Sequence, residues 1–485
     1  MPRPNNAGRS PGETGSDGLR ARKGRRRRSV AVVGSIALGG VVAMSYQMAS
    51  GAPAVSTPAV SINPVTAQVA VSGTAAQRKL SPKAANQKLL DDGKRYFRRS
   101  TFGDQKFWGG TLDLDRAIEG AANGGVGPGL SPAAALGAGL KVDVKALPKR
   151  LKKALAKGKV NLNSPATTLA LLKLDSVVGV KGYFNKSGNL TTVGIRCALC
   201  HSTVDNSFAP GIGKRLDGWA NRDLNVGAII GMAPNLQPIA DLLHTDVKTV
   251  KTVLDTWGPG EFDAQLLMDG KALRPDGGAA STLIPPAFGM LGVNQSTSTG
   301  WGSVTYWNAF VANLEMHGEG TFNDPRLDDA DQFPIAAENG FGHTKAKVDR
   351  ITPKLAALQA YQLSLAAPKP PKRSFNKAAA KRGKALFGGQ AACSTCHVPP
   401  LFTEPGFNMH KGEEIGIDNF QADRSPTHMY RTAPLAGLWT HKKGGFYHDG
   451  RFASLNDVVK HYDTTFGLHL TEAQQKDLVQ YLLSL

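Results

Sequence analysis

The chain contains four cysteines, and all four fall in two copies of one motif, Cys197-Ala-Leu-Cys200-His201 and Cys393-Ser-Thr-Cys396-His397. Cys-x-x-Cys-His is the attachment site of c-type haem. The two thiols add across the porphyrin vinyl groups, and the histidine that follows ligates the iron from one face. The sequence therefore predicts two covalent haems, one on Cys197, Cys200 and His201 and one on Cys393, Cys396 and His397. Zinc ribbons also use paired cysteines, but they set the pairs ~15–20 residues apart, whereas these motifs begin 196 residues apart. The histidine after each motif argues against a thioredoxin-like redox site. No cysteine is left for a disulfide, so stability has to come from packing and the haems.

The amino terminus fits a cofactor that is attached outside the cytoplasm. A basic stretch ends in Arg25-Arg26-Arg27-Arg28, an apolar run follows from Val30 to Met44, and Ala52-Pro53-Ala54 is a small-x-small site. Residues 1–54 read as a secretory signal peptide, or as an uncleaved anchor if the apolar run extends to Ala49, since a span needs ~20 residues. Either form puts the body of the protein outside the cytoplasmic membrane, in the periplasm or otherwise exported. The formal charge is +20, of which the first 54 residues supply nine basic and two acidic groups. The remaining excess suits an acidic redox partner. No nucleic-acid recognition module is present, and export argues against that partner.

Composition divides the rest. Residues 55–80, rich in Ala, Val, Pro, Ser and Thr, read as a flexible linker. Residues 81–190 form an extension of unassigned role, with a helix start at Ser164-Pro165. Residues 191–367 and 374–485 each carry one haem motif and are separated by Pro368-Lys369-Pro370-Pro371, a stiff linker. Ser374 is the expected cap of the next helix. An internal repeat supports two related domains: Leu358-Gln-Ala-Tyr361-Gln-Leu363-Ser-Leu365 matches Leu478-Val-Gln-Tyr481-Leu-Leu483-Ser-Leu485. A weaker match relates Tyr306–Leu314 to Tyr447–Leu455. The expected fold is mostly α: two cytochrome c-like domains, each around one covalent haem, with long loops and an amino-terminal extension.

Three stretches, Tyr430-Arg-Thr432-Ala-Pro434-Leu435, Gly445-Phe-Tyr-His448-Asp449-Gly450-Arg451-Phe452 and Leu455-Asn-Asp-Val458-Val-Lys-His461-Tyr462, resemble the carboxy-terminal domain of bacterial di-haem cytochrome c peroxidases. They are similar also to the methylamine-utilisation di-haem enzymes and the rubber oxygenases. The resemblance is strong over 374–485, weaker over 191–365 and gives little guidance before residue 160.

The resemblance implies site residues. Seven positions after Leu455, where the peroxidases carry a methionine that ligates the second iron, stands Tyr462, as in the methylamine-utilisation branch; His461 is the competing ligand, with Met409 and Met429 behind it. Tyr306-Trp307-Asn308 resembles the peroxidase stretch whose tryptophan lies between the haems, which makes Trp307 the candidate electron bridge. His317 occupies the distal glutamine position and is the candidate catalytic acid–base or ligand, with Glu315 and Glu319 near in sequence. The family's distal acid position is Leu327, a departure that leaves room for an apolar distal pocket shaped by Phe322. The family's interdomain calcium ion maps onto Asn294, Thr432 and Pro434.

The implied function is an oxidoreductase of peroxidase type. It would react with peroxide, oxygen or a small organic substrate at the first haem and draw electrons through the second from a small redox protein or a quinol-linked donor. A dioxygen-inserting oxygenase and a non-catalytic electron carrier are the alternatives.

Overall fold

The computed structural model describes residues 82–404, 406 and 408–485. The expected signal or anchor over 1–54 and the linker over 55–80 lie outside the described residues. Among these, no helix is long and apolar enough to cross a membrane.

Helices dominate, as the sequence suggests, but five two-stranded ribbons join them among the described residues. The longest pairs Val180–Phe184 with Leu190–Ile195 and runs directly into the first haem motif. Two helix pairs frame the structure. Pro82–Arg99 packs on Leu355–Leu363, and Lys377–Gly388 packs on Glu472–Leu482. Both crossings are built alike. A Cβ on Gly93 would lie 1.9 Å from the Ala357 carbonyl oxygen, and one on Gly383 would lie 2.0 Å from that of Asp477, so only glycine lets the backbones approach. Four residues after each glycine, Phe97 and Phe387 meet Tyr361 and Tyr481 edge-on, at 5.6 and 5.1 Å. The first partner of the amino-terminal pair thus comes from the stretch read as an extension of unassigned role.

Local sequence signals hold in part. Thr471 and Gln474 form the expected capping box, and Ser454 forms another with Asp457. Ser374 does not cap its helix: its hydroxyl donates to the Pro371 carbonyl, and Asn376 accepts from the Ala379 N–H instead. The weaker internal match fails as structure, because Val304–Phe310 is a helix whereas Tyr447 lies at φ +69° in an irregular loop. Its backbone partners differ, so the shared residues do not impose one conformation.

Three apolar cores lie within 82–367 and one within 374–485, and no core draws on both parts. Ion pairs and hydrogen bonds cross the seam between them. Arg424, 1 % exposed, reaches across to Asp263 and Asp269, with Nε 2.7 Å from Asp269 Oδ2 and Nη1 3.0 Å from the Ala280 carbonyl. Arg274 pairs with Asp449 and Lys443 with Asp223. Leu283 N–H donates to the His448 carbonyl at 2.7 Å.

Asp104 ties the amino-terminal stretch to the haem segment. Its Oδ2 accepts from the Ile195 N–H at 3.1 Å, its Oδ1 has no partner, and burial lifts its pKa to about 9. The folded state therefore holds a proton that the unfolded chain releases near the ordinary value, and the stability Asp104 contributes is lost as pH rises through about 9. Asp104→Asn keeps the acceptor and cannot ionise. It is expected to raise stability at about pH 8 by ~1–3 kcal/mol and to have little effect at about pH 4, as urea melts at the two pH values would show.

Candidate haem sites

At the first site the motif helix Ala198–His201 follows the long ribbon. Gly179, at φ +78°, lets the ribbon's start lie against it: a Cβ there would fall 2.2 Å from the Leu199 backbone. After the motif, Ser202–Val204 pairs with Arg215–Asp217, and the returning chain is clipped to the motif. Gly218 N–H donates to the His201 carbonyl and Asn221 N–H to the Cys200 carbonyl, each at 2.8 Å. His201 Nδ1 lies 3.1 Å from the Pro285 carbonyl oxygen. A carbonyl only accepts, so Nδ1 carries the proton and Nε2 keeps its lone pair for a metal. Burial keeps the imidazole neutral by lowering its pKa, against the pull of that carbonyl.

The second site repeats this arrangement. Cys393–Thr395 forms a 3₁₀ turn, and His397 Nδ1 lies 3.0 Å from the Phe402 carbonyl oxygen, again leaving Nε2 free for iron. Burial lowers the His397 pKa as well. All four cysteines are unpaired. Burial pushes Cys197 and Cys200 up to about 12 and Cys393 to about 11, so these are neutral thiols in apolar surroundings and poor thiolate ligands.

The seam carries a further clue. Arg222 Nε and Nη1 and His441 Nε2 are buried with no hydrogen-bond partner. Burial lowers Arg222 to about 10, and burial together with the Arg222 charge lowers His441 to about 4. Arg222 comes from the amino-terminal part and His441 from just after the Leu438–Thr440 turn of the other. Buried donors lacking acceptors are rare, and the two Arg222 nitrogens call for an anion. Haem carboxylates are such anions, and with the free Nε2 atoms and buried thiols the residues present fit two haems. Sequence reading missed this pair, since neither residue belongs to a motif.

The predicted distal residues are placed as follows. His317, at φ +56°, stacks on Phe107 with ring centroids 3.6 Å apart and meets Trp108 edge-on at 6.4 Å. It makes no hydrogen bond among the described residues, and burial lowers its pKa to about 4. Phe107 and Trp108 come from the stretch read as an extension, where nothing in their spacing marks them. Trp108 is fixed by its Nε1 donating to the Met316 carbonyl at 3.1 Å. Glu315 ends a short π-helical segment, Val311–Glu315, a conformation frequent at functional sites. Its Oε1 is buried and unpartnered, and burial, with Asp263 adding to it, lifts its pKa well above the carboxylate range. Glu319 is instead engaged by Lys106 and Arg350, at 2.5 and 2.7 Å. Leu327 is fully buried and Phe322 nearly so. Trp307 packs among Trp301, Tyr306 and Phe310, and its Nε1 is buried without a partner.

Near the second site, His461 Nε2 lies 2.8 Å from the Ile415 carbonyl oxygen, which occupies that nitrogen. Tyr462 is half-buried, its ring stacks on Phe466 at 5.7 Å and lies 6.1 Å from Tyr447, and burial raises its pKa. Of the calcium candidates, the Thr432 carbonyl accepts from the Thr403 hydroxyl at 2.5 Å and the Thr432 hydroxyl donates to Glu404. Asn294 is exposed and makes no hydrogen bond among the described residues, and Pro434 is half-buried in the loop after Thr432.

No family model matches the chain. It is 27 % identical over 238 residues to the methylamine utilization protein MauG of Methylorubrum extorquens, a match covering 41 % of this chain and 66 % of that protein. It is 26 % identical over 274 residues to the cytochrome-c peroxidase IdrP1 of Denitromonas iodatirespirans, covering 43 % and 72 %. Among solved structures, a MauG-like protein associated with microbial copper homeostasis superposes with a TM-score of 0.29 at 16 % identity, over 45 % of this chain and 79 % of that one. The chain spans just under two thirds of the first relative's length. Two complete haem-attachment motifs and two relatives of this kind support a place in the di-haem cytochrome c peroxidase superfamily.

Proposed function

We propose that the chain is an exported di-haem oxidoreductase of peroxidase type, made of two cytochrome c-like domains. Its reactive site would lie at the first haem and its electron-supplying site at the second. The observation that carries this is the matched pair of proximal histidines, each with Nδ1 on a backbone carbonyl and Nε2 free, directly behind a complete attachment motif. The haems, when bound, supply redox-active iron. The protein orients the histidines, fixes their tautomers and offers Arg222 to haem carboxylates.

On the distal side of the first site, this chain's own groups would handle protons. His317 is neutral at working pH and able to accept one, while Glu315 is protonated and able to give one up, which is the division of labour acid–base chemistry needs. Phe107 and Trp108 shield His317 from water. The crossing of Pro82–Arg99 with Leu355–Leu363 supports starting the first domain at residue 82 rather than 191. A small redox protein or a quinol-linked donor, and peroxide or an activated oxygen species, remain the proposed partners in the periplasm.

Electron paramagnetic resonance of the purified protein, with added cyanide, tests the reading. One haem that binds cyanide beside one that does not is the expected result. Two haems that both refuse it would make the chain an electron carrier.

At the second site we assign the distal ligand to Tyr462, because His461 Nε2 is engaged by Ile415. Tyr462→Met is expected to raise that haem's reduction potential, since an oxygen ligand favours ferric iron and a thioether does not. His461→Ala should leave the second haem's spectrum unchanged. The reverse pattern would make His461 the ligand.

A further inference from the structure

We infer that Trp219 and Trp439 form the electron path between the two haem sites, an inference that rests on the two-haem reading above. Trp219 sits between the two clips on the first motif: Gly218 N–H is on the His201 carbonyl and Asn221 N–H on the Cys200 carbonyl, both at 2.8 Å. Its neighbour Gly218 is thus hydrogen-bonded to the residue that would ligate the first iron. Its ring meets Trp439 edge-on, with centroids 5.5 Å apart and planes at 86°. Phe288 flanks it at 6.3 Å and lies three residues after Pro285, whose carbonyl holds His201.

On the other side, Trp439 belongs to the Leu438–Thr440 turn, and its Nε1 donates to the Pro368 carbonyl at 2.7 Å. Leu438 packs into the same core as Cys393 and as Phe402, whose carbonyl holds His397. Gly437, at φ +80°, brings the turn close: a Cβ there would lie 2.6 Å from the Phe288 ring. The junction is therefore tied to the proximal side of both sites.

Among the described residues, this is the only ring-to-ring contact that joins the two parts, beside the ion pairs that also cross the seam. Trp307 touches rings of the amino-terminal part alone. Indole π systems carry charge more readily than the saturated groups and ion pairs around them. With both haems bound, the two indoles would relay one electron between the irons and end in their starting oxidation state. The Trp439 ring proton stays on Nε1 against the Pro368 carbonyl, so no proton transfer has to accompany the step.

The test uses the full chain with both haems, with haem content counted and potentials measured by spectroelectrochemistry. Inter-haem transfer is timed by pulse radiolysis. Trp219→Phe and Trp439→Leu should each slow transfer about tenfold or more, with both potentials and the Trp219→Phe urea midpoint near wild type. Because both rings lie on one path, the double variant should be no slower than the slower single one. Trp307→Phe should transfer at the wild-type rate. Wild-type transfer in the double variant, or slowing confined to Trp307→Phe, overturns the path while the two-haem reading stands. Fewer than two haems in the wild-type protein overturns that reading itself.

Discussion

Arg424→Met is expected to lower the stability of the folded protein by ~3–5 kcal/mol, the cost of leaving buried carboxylates without their counter-ion, and its midpoint by about 4–6 °C. Arg424 is 1 % exposed and binds Asp263 and Asp269, themselves 1 % and 5 % exposed, through both edges of its guanidinium. Burial lifts Asp263 above the ordinary carboxylate range even against the pull of Arg424, and Asp263 in turn helps to keep Glu315 protonated. Without the arginine, both aspartates would have to take up protons to stay buried. The deficit should therefore be larger at about pH 8 than at about pH 5, because protons replace the missing charge. Arg424→Lys should recover only part of the loss, since an ammonium cannot present the same planar fork to two carboxylates. Differential scanning calorimetry across pH checks this, and a variant as stable as wild type at about pH 8 would show that the clasp does not hold the two parts together.

How much of this could be read from residues alone depends on how local the cause is. The haem-attachment motif is legible because the chemistry it serves demands contiguous residues: two thiols and an imidazole within one turn. The Thr471–Gln474 capping box is legible for the same reason. Ser374 misled because a serine two residues upstream of Asn376 looks equally good as a cap until the backbone chooses. The larger miss concerns 82–190. The crossing of Pro82–Arg99 with Leu355–Leu363 is a contact across more than 250 positions. Its signature, a glycine followed four residues later by a phenylalanine, is present in both Gly93–Phe97 and Gly383–Phe387, and could have been matched to the repeat at Tyr361 and Tyr481. The distal surroundings of His317 and the Arg222–His441 pair were beyond reach, because each joins residues whose neighbours in sequence say nothing about them.

The difference between the two parts gives the second large prediction. Replacing Cys393 and Cys396 together with alanine should leave one haem per chain in a pyridine haemochrome assay and should unfold 374–485 ahead of the rest. The core there is a single cluster around Phe387, Leu455, Leu478 and Tyr481, and Cys393, Phe402 and Leu438 pack against it. A segment of that size has a margin of only about 5–15 kcal/mol. Losing the proposed haem there, with His397 left without the iron it would hold, should remove a large part of that margin. The amino-terminal part is built differently. It has three apolar clusters, and the first, from Trp108 to Ile284, stands largely on aliphatic packing. Replacing Cys197 and Cys200 should accordingly remove the other haem while leaving most amide protection in 82–367 in place. Hydrogen exchange read by mass spectrometry separates the two cases. Equal loss of protection in both double variants would mean that the haems contribute alike to both parts, and that the second part does not depend on its cofactor more than the first.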